Sequence, residues 1–145
     1  MNEFTSNHIH IFHSLFKGRE DVFAVRWEKS GNSGYMPAYQ YDPSWLLVAD
    51  FDKKNYKEEA VTFLSACKGN NIPAHLERSR SGNGGHVWIF FDKPYPAIRS
   101  RKIFISILEQ SGAFSMFDKS SSFHRLFPNQ DFLSGKGLGN LIGGH

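Results

Sequence analysis

The sequence predicts an α/β (α+β) domain in which helices pack on a mixed sheet, and three stretches carry that prediction. Leu46-Leu47-Val48-Ala49-Asp50-Phe51-Asp52 is an apolar run ending in two acids, as in a buried strand that reaches the edge of a core. Ala60, Phe63, Leu64 and Cys67 then recur at helical spacing and residues 72–78 return to strand, so residues 45–78 read as a βαβ unit with a right-handed crossover. Finally, Ser79-Arg80-Ser81-Gly82-Asn83-Gly84-Gly85-His86 announces a Gly-rich hairpin that leads into the strand-like residues 87–91.

At 145 residues the chain suits one domain, residues 1–145, with a sizeable core. Its 40% hydrophobic and 21% charged residues exclude a disordered or fibrous chain. The net charge of +3 permits a polyanionic partner without demanding one. The single Cys67 excludes an internal disulfide and a zinc site built from cysteines, and it fits a reducing compartment such as the cytoplasm. With no run of about eighteen apolar residues and no charged-then-apolar leader, neither a membrane span nor secretion is expected.

Taken in order, the elements begin with a short helix from about His8, in which Ile9, Phe12 and Phe16 share a face and Gly18 is the stop. His8, His10 and His13 read as surface histidines, because only His10 and His13 stand close to one turn apart. Phe23, Val25 and Trp27 alternate with Val22, Ala24 and Arg26, a strand signal over residues 21–27. Gly31-Asn32-Ser33-Gly34 reads as a turn, and residues 35–41, broken by Pro37, as irregular chain feeding the acid-ended strand. Asn55 with Glu58 predicts a capping-box start for the central helix, and Gly69-Asn70-Asn71 its end. Pro96 opens a second long helix with Ile98, Ile103, Phe104, Ile107 and Leu108 apolar, a basic stripe at Arg99, Arg101 and Lys102, and Gly112 as terminator. Residues 123–131 suit a site-lining strand and turn, and Lys136 lies in a Gly-x-Gly-x-Gly-Asn segment that resembles an anion-contacting loop.

Two of these stretches carry chemistry. A strand has a side-chain period of two, so Asp50 and Asp52 share a face. Two adjacent ionised acids repel and are stable together beside a cation, and a strand fixes their separation more firmly than a loop would. The pair therefore suits a divalent metal, although D-x-D alone also fits a strand running out into solvated acids before Lys53 and Lys54. In the hairpin, backbone N–H groups, two serine hydroxyls, Arg78 and Arg80 form a cradle suited to phosphate oxygens, with His86 beside it. An ordinary glycine-rich hairpin with solvated arginines is the other reading of that stretch.

Several segments combine to place the chain in a known family. They are residues 15–24 (Leu-Phe-Lys-Gly-Arg-Glu-Asp-Val-Phe-Ala) with Arg26-Trp27, Gly34-Tyr35-Met36-Pro37-Ala38, and Val48-Ala49-Asp50-Phe51-Asp52. They continue with the long block from Glu77-Arg78-Ser79 through His86-Val87-Trp88, Arg125-Leu126-Phe127-Pro128-Asn129-Gln130-Asp131, and Gly139-Asn140-Leu141-Ile142. In this order they resemble the catalytic domain of archaeo-eukaryotic primases, the primase-polymerase superfamily, and most specifically the primase-like domain of TOTE conflict systems, which sits beside helicase and nuclease modules. The resemblance covers nearly the whole chain; the serine-to-tryptophan block is its specific part.

That resemblance implies an RRM-like core and metal-dependent, template-directed nucleotidyl transfer: DNA or RNA primase-polymerase activity on single-stranded or primer-template nucleic acid. Asp50 and Asp52 match the family's metal pair, holding two Mg²⁺ or Mn²⁺ ions that activate the attacking 3′-hydroxyl and stabilise the leaving pyrophosphate. Ser81 and His86 match its S-x-G-x-G-x-H-like element for the triphosphate of the incoming nucleotide, with Arg78, Arg80, Gly82, Asn83, Gly84, Arg125 and Lys136 as further nucleotide contacts. Arg19, Arg26, Arg80, Arg125 and Lys136 are candidates for template or phosphate contacts. Where relatives read Phe-Asp-Arg-Leu-Phe-Pro-Asn-Gln, this chain has His124, so the third ligand is an imidazole, better suited to Mn²⁺ or Zn²⁺ than to Mg²⁺, with Asp131 as a further candidate ligand. Asp42-Pro43-Ser44 replaces a longer insert of the relatives, and the chain stops at Gly143-Gly144-His145 where they run on. The alternative expectation is a nucleotide- or nucleic-acid-binding module of the same fold with weakened catalysis. A metal-dependent nuclease would share the acid pair but leave the Ser81–His86 element unexplained.

Overall fold

The computed structural model describes residues 5–16, 25–29, 32–36, 43–79, 82–115 and 120–129. The elements are α1 (Ser6–Leu15), β1 (Val25–Lys29), β2 (Asn32–Met36), β3 (Pro43–Asp52), α2 (Tyr56–Gly69), β4 (His75–Arg78), β5 (Gly84–Pro96), α3 (Ala97–Ser111) and β6 (Phe123–Phe127). The acid-ended run forms β3, and its alternation sets the layers. Leu47, Ala49 and Phe51 are fully buried on one face, against Ala60, Phe63 and Cys67 of α2 and Phe104, Ile107 and Leu108 of α3. Phe63 lies 6.0 Å from the Phe51 ring and 6.4 Å from Phe104, joining strand to both helices. Each Leu, Ile or Phe side chain buried this fully contributes about 1.5–3 kcal/mol. Burial also pushes the Cys67 thiol up to about 11, so it packs as a small protonated hydrophobe.

Among the described residues, the other face of β3 carries no long helix. Val48 is buried there between Trp88 of β5 and Phe127 of β6. Phe16, just past α1, packs edge-on against Trp88 and Phe90, with ring centroids 5.1 and 5.4 Å away. The four main strands are ordered β4-β5-β3-β6, and β1 pairs with β2 in a separate two-stranded sheet. With α2 and α3 in their places, β3-α2-β4-β5-α3-β6 is the split-βαβ arrangement, which fits the RRM-like α+β core expected.

Several expectations need correcting. The sheet is antiparallel at every described ladder rather than mixed. The two strands of the βαβ unit, β3 and β4, are not neighbours, because the tight hairpin lays β5 beside β4 and β3 takes the other edge of β5. Asn32 to Gly34 belong to β2, paired from Lys29↔Asn32 to Val25↔Met36, rather than to a turn. β4 begins at His75, after Pro73, and β5 runs on to Pro96. Asn55 stands at the N-cap of α2 but makes no side-chain capping bond; its backbone (φ −97°, ψ 14°) is not the extended one that aims a cap side chain at the helix. A capping box forms instead on α1, where Thr5 Oγ1 accepts from the His8 N–H and the Thr5 N–H donates to His8 Nδ1.

Other helix limits follow the sequence. α2 ends at Gly69 with Asn70 as C-cap, and Gly112 closes α3 in the left-handed region at φ 76°. His8, His10 and His13 are all exposed on α1. Arg101 of the basic stripe turns back to the protein, where its Nη1 donates to the carbonyl of Pro128 at 2.8 Å and ties α3 to the end of β6. No helix among the described residues is long and apolar enough to cross a membrane.

Candidate metal centre

Antiparallel pairing brings the C-terminal ends of β3 and β4 together with the N-terminal ends of β5 and β6. The register then lines up one residue from each strand. His75, Trp88, Val48 and Phe127 form an apolar and aromatic row, and Glu77, His86, Asp50 and Arg125 form a charged one. Trp88 and Phe127 thus floor the site from one side and water meets it from the other. Asp50 is only 14% exposed while Asp52, farther along β3, is 55% exposed.

On the β6 side the pairing is irregular. It runs Val48↔Phe127, Ala49↔Leu126, Asp50↔Arg125 and then jumps to Phe51↔Phe123. His124 is the extra residue of a β-bulge, a device that re-aims side chains. Phe123 turns inward, its ring 5.8 Å from that of Phe51, and Leu126 is buried in the helix-facing core. Both His124 and Arg125 are thereby left on the acid face. His124 Nδ1 comes within 3.3 Å of Asp50 Oδ2 and 3.5 Å of Asp52 Oδ2. The start of β6 is held by Glu59 of α2, whose Oε2 accepts from Ser121 Oγ, Ser122 Oγ and the Ser122 N–H. Lys53 Nζ donates to the Ser121 carbonyl, and the Asp52 N–H to that of Ser122.

Asp50, Asp52 and His124 each offer a ligand atom, and these atoms lie within 4.8 Å of one another. Arg125 Nε donates to His124 Nδ1 at 3.1 Å, and its Nη2 lies 2.8 Å from Nε2. A guanidinium offers only N–H groups and a neutral imidazole only one lone-pair nitrogen, so only one of these two contacts is a hydrogen bond, and a metal would have to take that lone pair from Arg125. Two carboxylates and such an imidazole form a set that could hold a divalent metal. Arg125 itself is steadied by the Phe127 ring, 5.7 Å from its Cζ.

On the β5 side the register is regular. His86 Nε2 lies 3.7 Å from Asp50 Oδ1, and its Nδ1 3.3 Å from Glu77 Oε2. Gly84 is the partner of Asp52, and a Cβ there would come within 2.7 Å of both Asp52 Oδ1 and the Phe51 carbonyl, so only glycine fits. Gly82 takes φ 76°, its carbonyl accepts from the Tyr56 hydroxyl, and the Arg78 guanidinium fills the space that a Cβ there would need. The hairpin is closed by Ser79 N–H to the Gly84 carbonyl and Gly82 N–H to the Ser79 carbonyl, both 2.9 Å.

Of the residues singled out in the sequence, Asp50, Asp52 and His124 meet directly, with His86 and Arg125 against them and Arg78, Gly82, Asn83 and Gly84 on the adjoining hairpin. Arg19, Arg80, Ser81, Asp131 and Lys136 lie outside the described residues, and Arg26 is described only through the backbone of β1. Glu77 and Glu59 were missed. Glu77 was detectable in principle, since pairing the strands outward from the Gly-rich turn sets it opposite His86; nothing local marks Glu59.

Comparison with curated proteins returns no match. A family model described as the TOTE conflict system, Archaeo-Eukaryotic Primase domain, matches residues 7–44 and 40–143, two stretches that meet at the short Asp42-Pro43-Ser44 connection. Nearly all of the chain is covered, including β3, the hairpin and β6, and the chain therefore belongs to the archaeo-eukaryotic primase domain family of TOTE conflict systems.

Proposed function

We propose that this domain performs template-directed nucleotidyl transfer, joining nucleotides on a nucleic-acid template. The observation that carries the reading is the convergence of Asp50, Asp52 and His124 at one sheet edge, immediately beside the His86-bearing hairpin. Family membership supports it. In this reading Asp50, Asp52 and His124 hold Mg²⁺ or Mn²⁺, which supplies Lewis-acid stabilisation of the developing charge. Asp131 lends a further carboxylate. His86, Arg78, Arg80 and Ser81 hold the triphosphate, with Gly82, Asn83 and Gly84 letting the backbone approach it. Arg125 and Lys136 contact phosphates of nucleotide or template, and Arg19 and Arg26 contact the template. Helicase and nuclease modules are its expected companions.

A second reading rests on one observation: the third ligand is an imidazole, so the cluster carries one negative charge fewer than three acids would. A nucleotide- or nucleic-acid-binding module would keep the cradle without turnover. The test is incorporation of labelled nucleotides on a single-stranded template, with and without primer, in Mg²⁺ and then Mn²⁺. The control is the Asp50→Ala/Asp52→Ala double variant. Product that disappears in the control supports the polymerase reading. Absence of product in either metal, with nucleotide binding retained, supports the binding module.

A further inference from the structure

The junction between β3 and α2 reaches both of the loops that flank the acid strand. Lys53, at φ 77°, turns the chain directly after Asp52 and donates its Nζ to the Ser121 carbonyl on the β6 side. Tyr56, at the start of α2, reaches the other way. Its hydroxyl donates to the Gly82 carbonyl at 3.2 Å, across 26 residues of sequence. The side chain has little freedom to do anything else: Tyr56 is 7% exposed and belongs to the helix-facing core. A Cβ at Gly85 would come within 3.2 Å of Tyr56 Cδ2, so the ring lies directly against the hairpin.

A bond to a carbonyl oxygen fixes more than that oxygen. A peptide unit is planar and trans, so its C=O and N–H point in opposite directions. With the Gly82 carbonyl drawn to Tyr56, the Asn83 N–H is aimed away from it. Gly82 stands at φ 76°, and glycine tolerates either sign of φ, so this peptide plane needs an outside restraint. The two backbone bonds that close the hairpin do not supply one, since they use the Ser79 and Gly82 N–H groups and the Gly84 and Ser79 carbonyls. The Arg78 guanidinium fills the space beside Gly82 and brings a cation to the same turn. We propose that Tyr56 is the positioning residue of the phosphate cradle: its hydroxyl locks the Gly82–Asn83 peptide so that the Asn83 N–H is presented, beside Arg78, to a phosphate oxygen of the nucleotide. Tyr56 itself never touches the nucleotide. The proposal rests on the nucleotidyl-transfer reading for the identity of the anion, but not for the locking of the peptide.

Two measurements separate those parts. Tyr56→Phe in the full 145-residue chain removes the hydroxyl and keeps the ring. Without any ligand, the NMR resonances of the Gly82 carbonyl carbon and the Asn83 amide are expected to shift while those of the helix-facing core stay in place. Calorimetric titration at saturating Mn²⁺ then reads affinity for ATP and for inorganic tripolyphosphate. Both are expected to weaken about tenfold, the ordinary effect of losing one hydrogen bond to a charged group. Affinity for Mn²⁺ alone is expected to stay as in the wild type, because Asp50, Asp52 and His124 are untouched. Unchanged Gly82 and Asn83 resonances overturn the lock, whatever the domain's activity. Shifted resonances with full affinity for both anions overturn the role in phosphate binding, and a lower unfolding temperature alone would then mark Tyr56 as merely structural. An equal loss of Mn²⁺ affinity also overturns the proposal, because the whole site would have moved. Nucleotide incorporation that persists beside any of these results leaves the nucleotidyl-transfer reading standing; wild-type protein that binds neither ATP nor tripolyphosphate removes both.

Discussion

The two flanks of the acid strand are built differently. On the β5 side the residues facing Asp50 and Asp52 follow from unbroken pairing: Asp50↔His86, Asp52↔Gly84, and one strand farther His86↔Glu77. On the β6 side the pairing slips at Asp50/Phe51, and only that slip delivers His124 beside Arg125 on the same face. The difference extends to exposure, since the His86 side chain is 12% exposed and that of His124 is 47% exposed. A regular ladder buries and orients its histidine through neighbours on both sides. The bulge leaves its histidine open and borrows rigidity from elsewhere, namely Glu59 beneath the start of β6 and Arg101 at its end.

Asp50 joins the two flanks, with Oδ1 facing His86 and Oδ2 facing His124. Replacing it abolishes the contrast altogether. Asp50→Asn is expected to lower nucleotide incorporation about a thousandfold, the several kcal/mol that a correctly held Lewis acid supplies. Folding should survive, because the residue sits at the site's edge rather than in the helix-facing core. Thermal unfolding alongside the incorporation assay checks both points; near-normal incorporation would remove Asp50 from the metal site.

Glu59→Ala breaks the β6 flank alone. It leaves the hydroxyl and N–H of Ser122, which is 1% exposed, without the oxygen they share. Stranding buried donors costs about 1–3 kcal/mol each, so a loss of about 3 kcal/mol in urea unfolding is expected, with Mn²⁺ affinity falling as His124 drifts. Retained metal affinity would show that the bulge holds itself. Gly84→Ala probes the opposite flank. Its methyl group would collide with the Phe51 carbonyl, which cannot move without disturbing β3, and overpacking of this kind costs about 2 kcal/mol. Equilibrium unfolding measures that loss, and His86 should remain paired with Asp50. A neutral result would mean that β5 slides away without penalty.

The contrast between flanks also explains what the sequence makes legible. A period of two places Asp50 and Asp52 together, and the Gly-rich turn fixes where β4 and β5 pair, so the hairpin flank follows from local rules. Glu77 was within reach of the same rules. The bulge was not, because Phe123-His124-Arg125-Leu126 departs from alternation for a tertiary reason: Phe123 and Leu126 both find room in the helix-facing core. Strand order was hidden too. The helical stripe of α2 says that β3 and β4 run the same way, but only the pairing of β5 with both shows that they are not adjacent. The capping box expected at Asn55 failed because its backbone turns before the helix begins.

The smallest effect is the most informative about the β6 flank. In His124→Asp the bulge and its supports remain, while an oxygen donor replaces nitrogen between Asp50 and Asp52. Mg²⁺ binds oxygen ligands and dehydrates reluctantly, whereas imidazole suits Mn²⁺ and Zn²⁺. The wild-type cluster of two carboxylates and one imidazole should therefore work better with Mn²⁺. Adding a third carboxylate strengthens attraction for any divalent ion, but on the metal-site reading it removes the donor expected to discriminate against Mg²⁺. Arg125, now beside His124, would pair with the new acid and offset part of the added charge. The ratio of Mg²⁺- to Mn²⁺-supported incorporation is thus expected to rise about tenfold, equivalent to about 1.4 kcal/mol. Because a ratio cancels any general loss of folding, an unchanged value would mean that His124 does not ligate the metal. Calorimetric titration with each ion supplies the same comparison without requiring turnover.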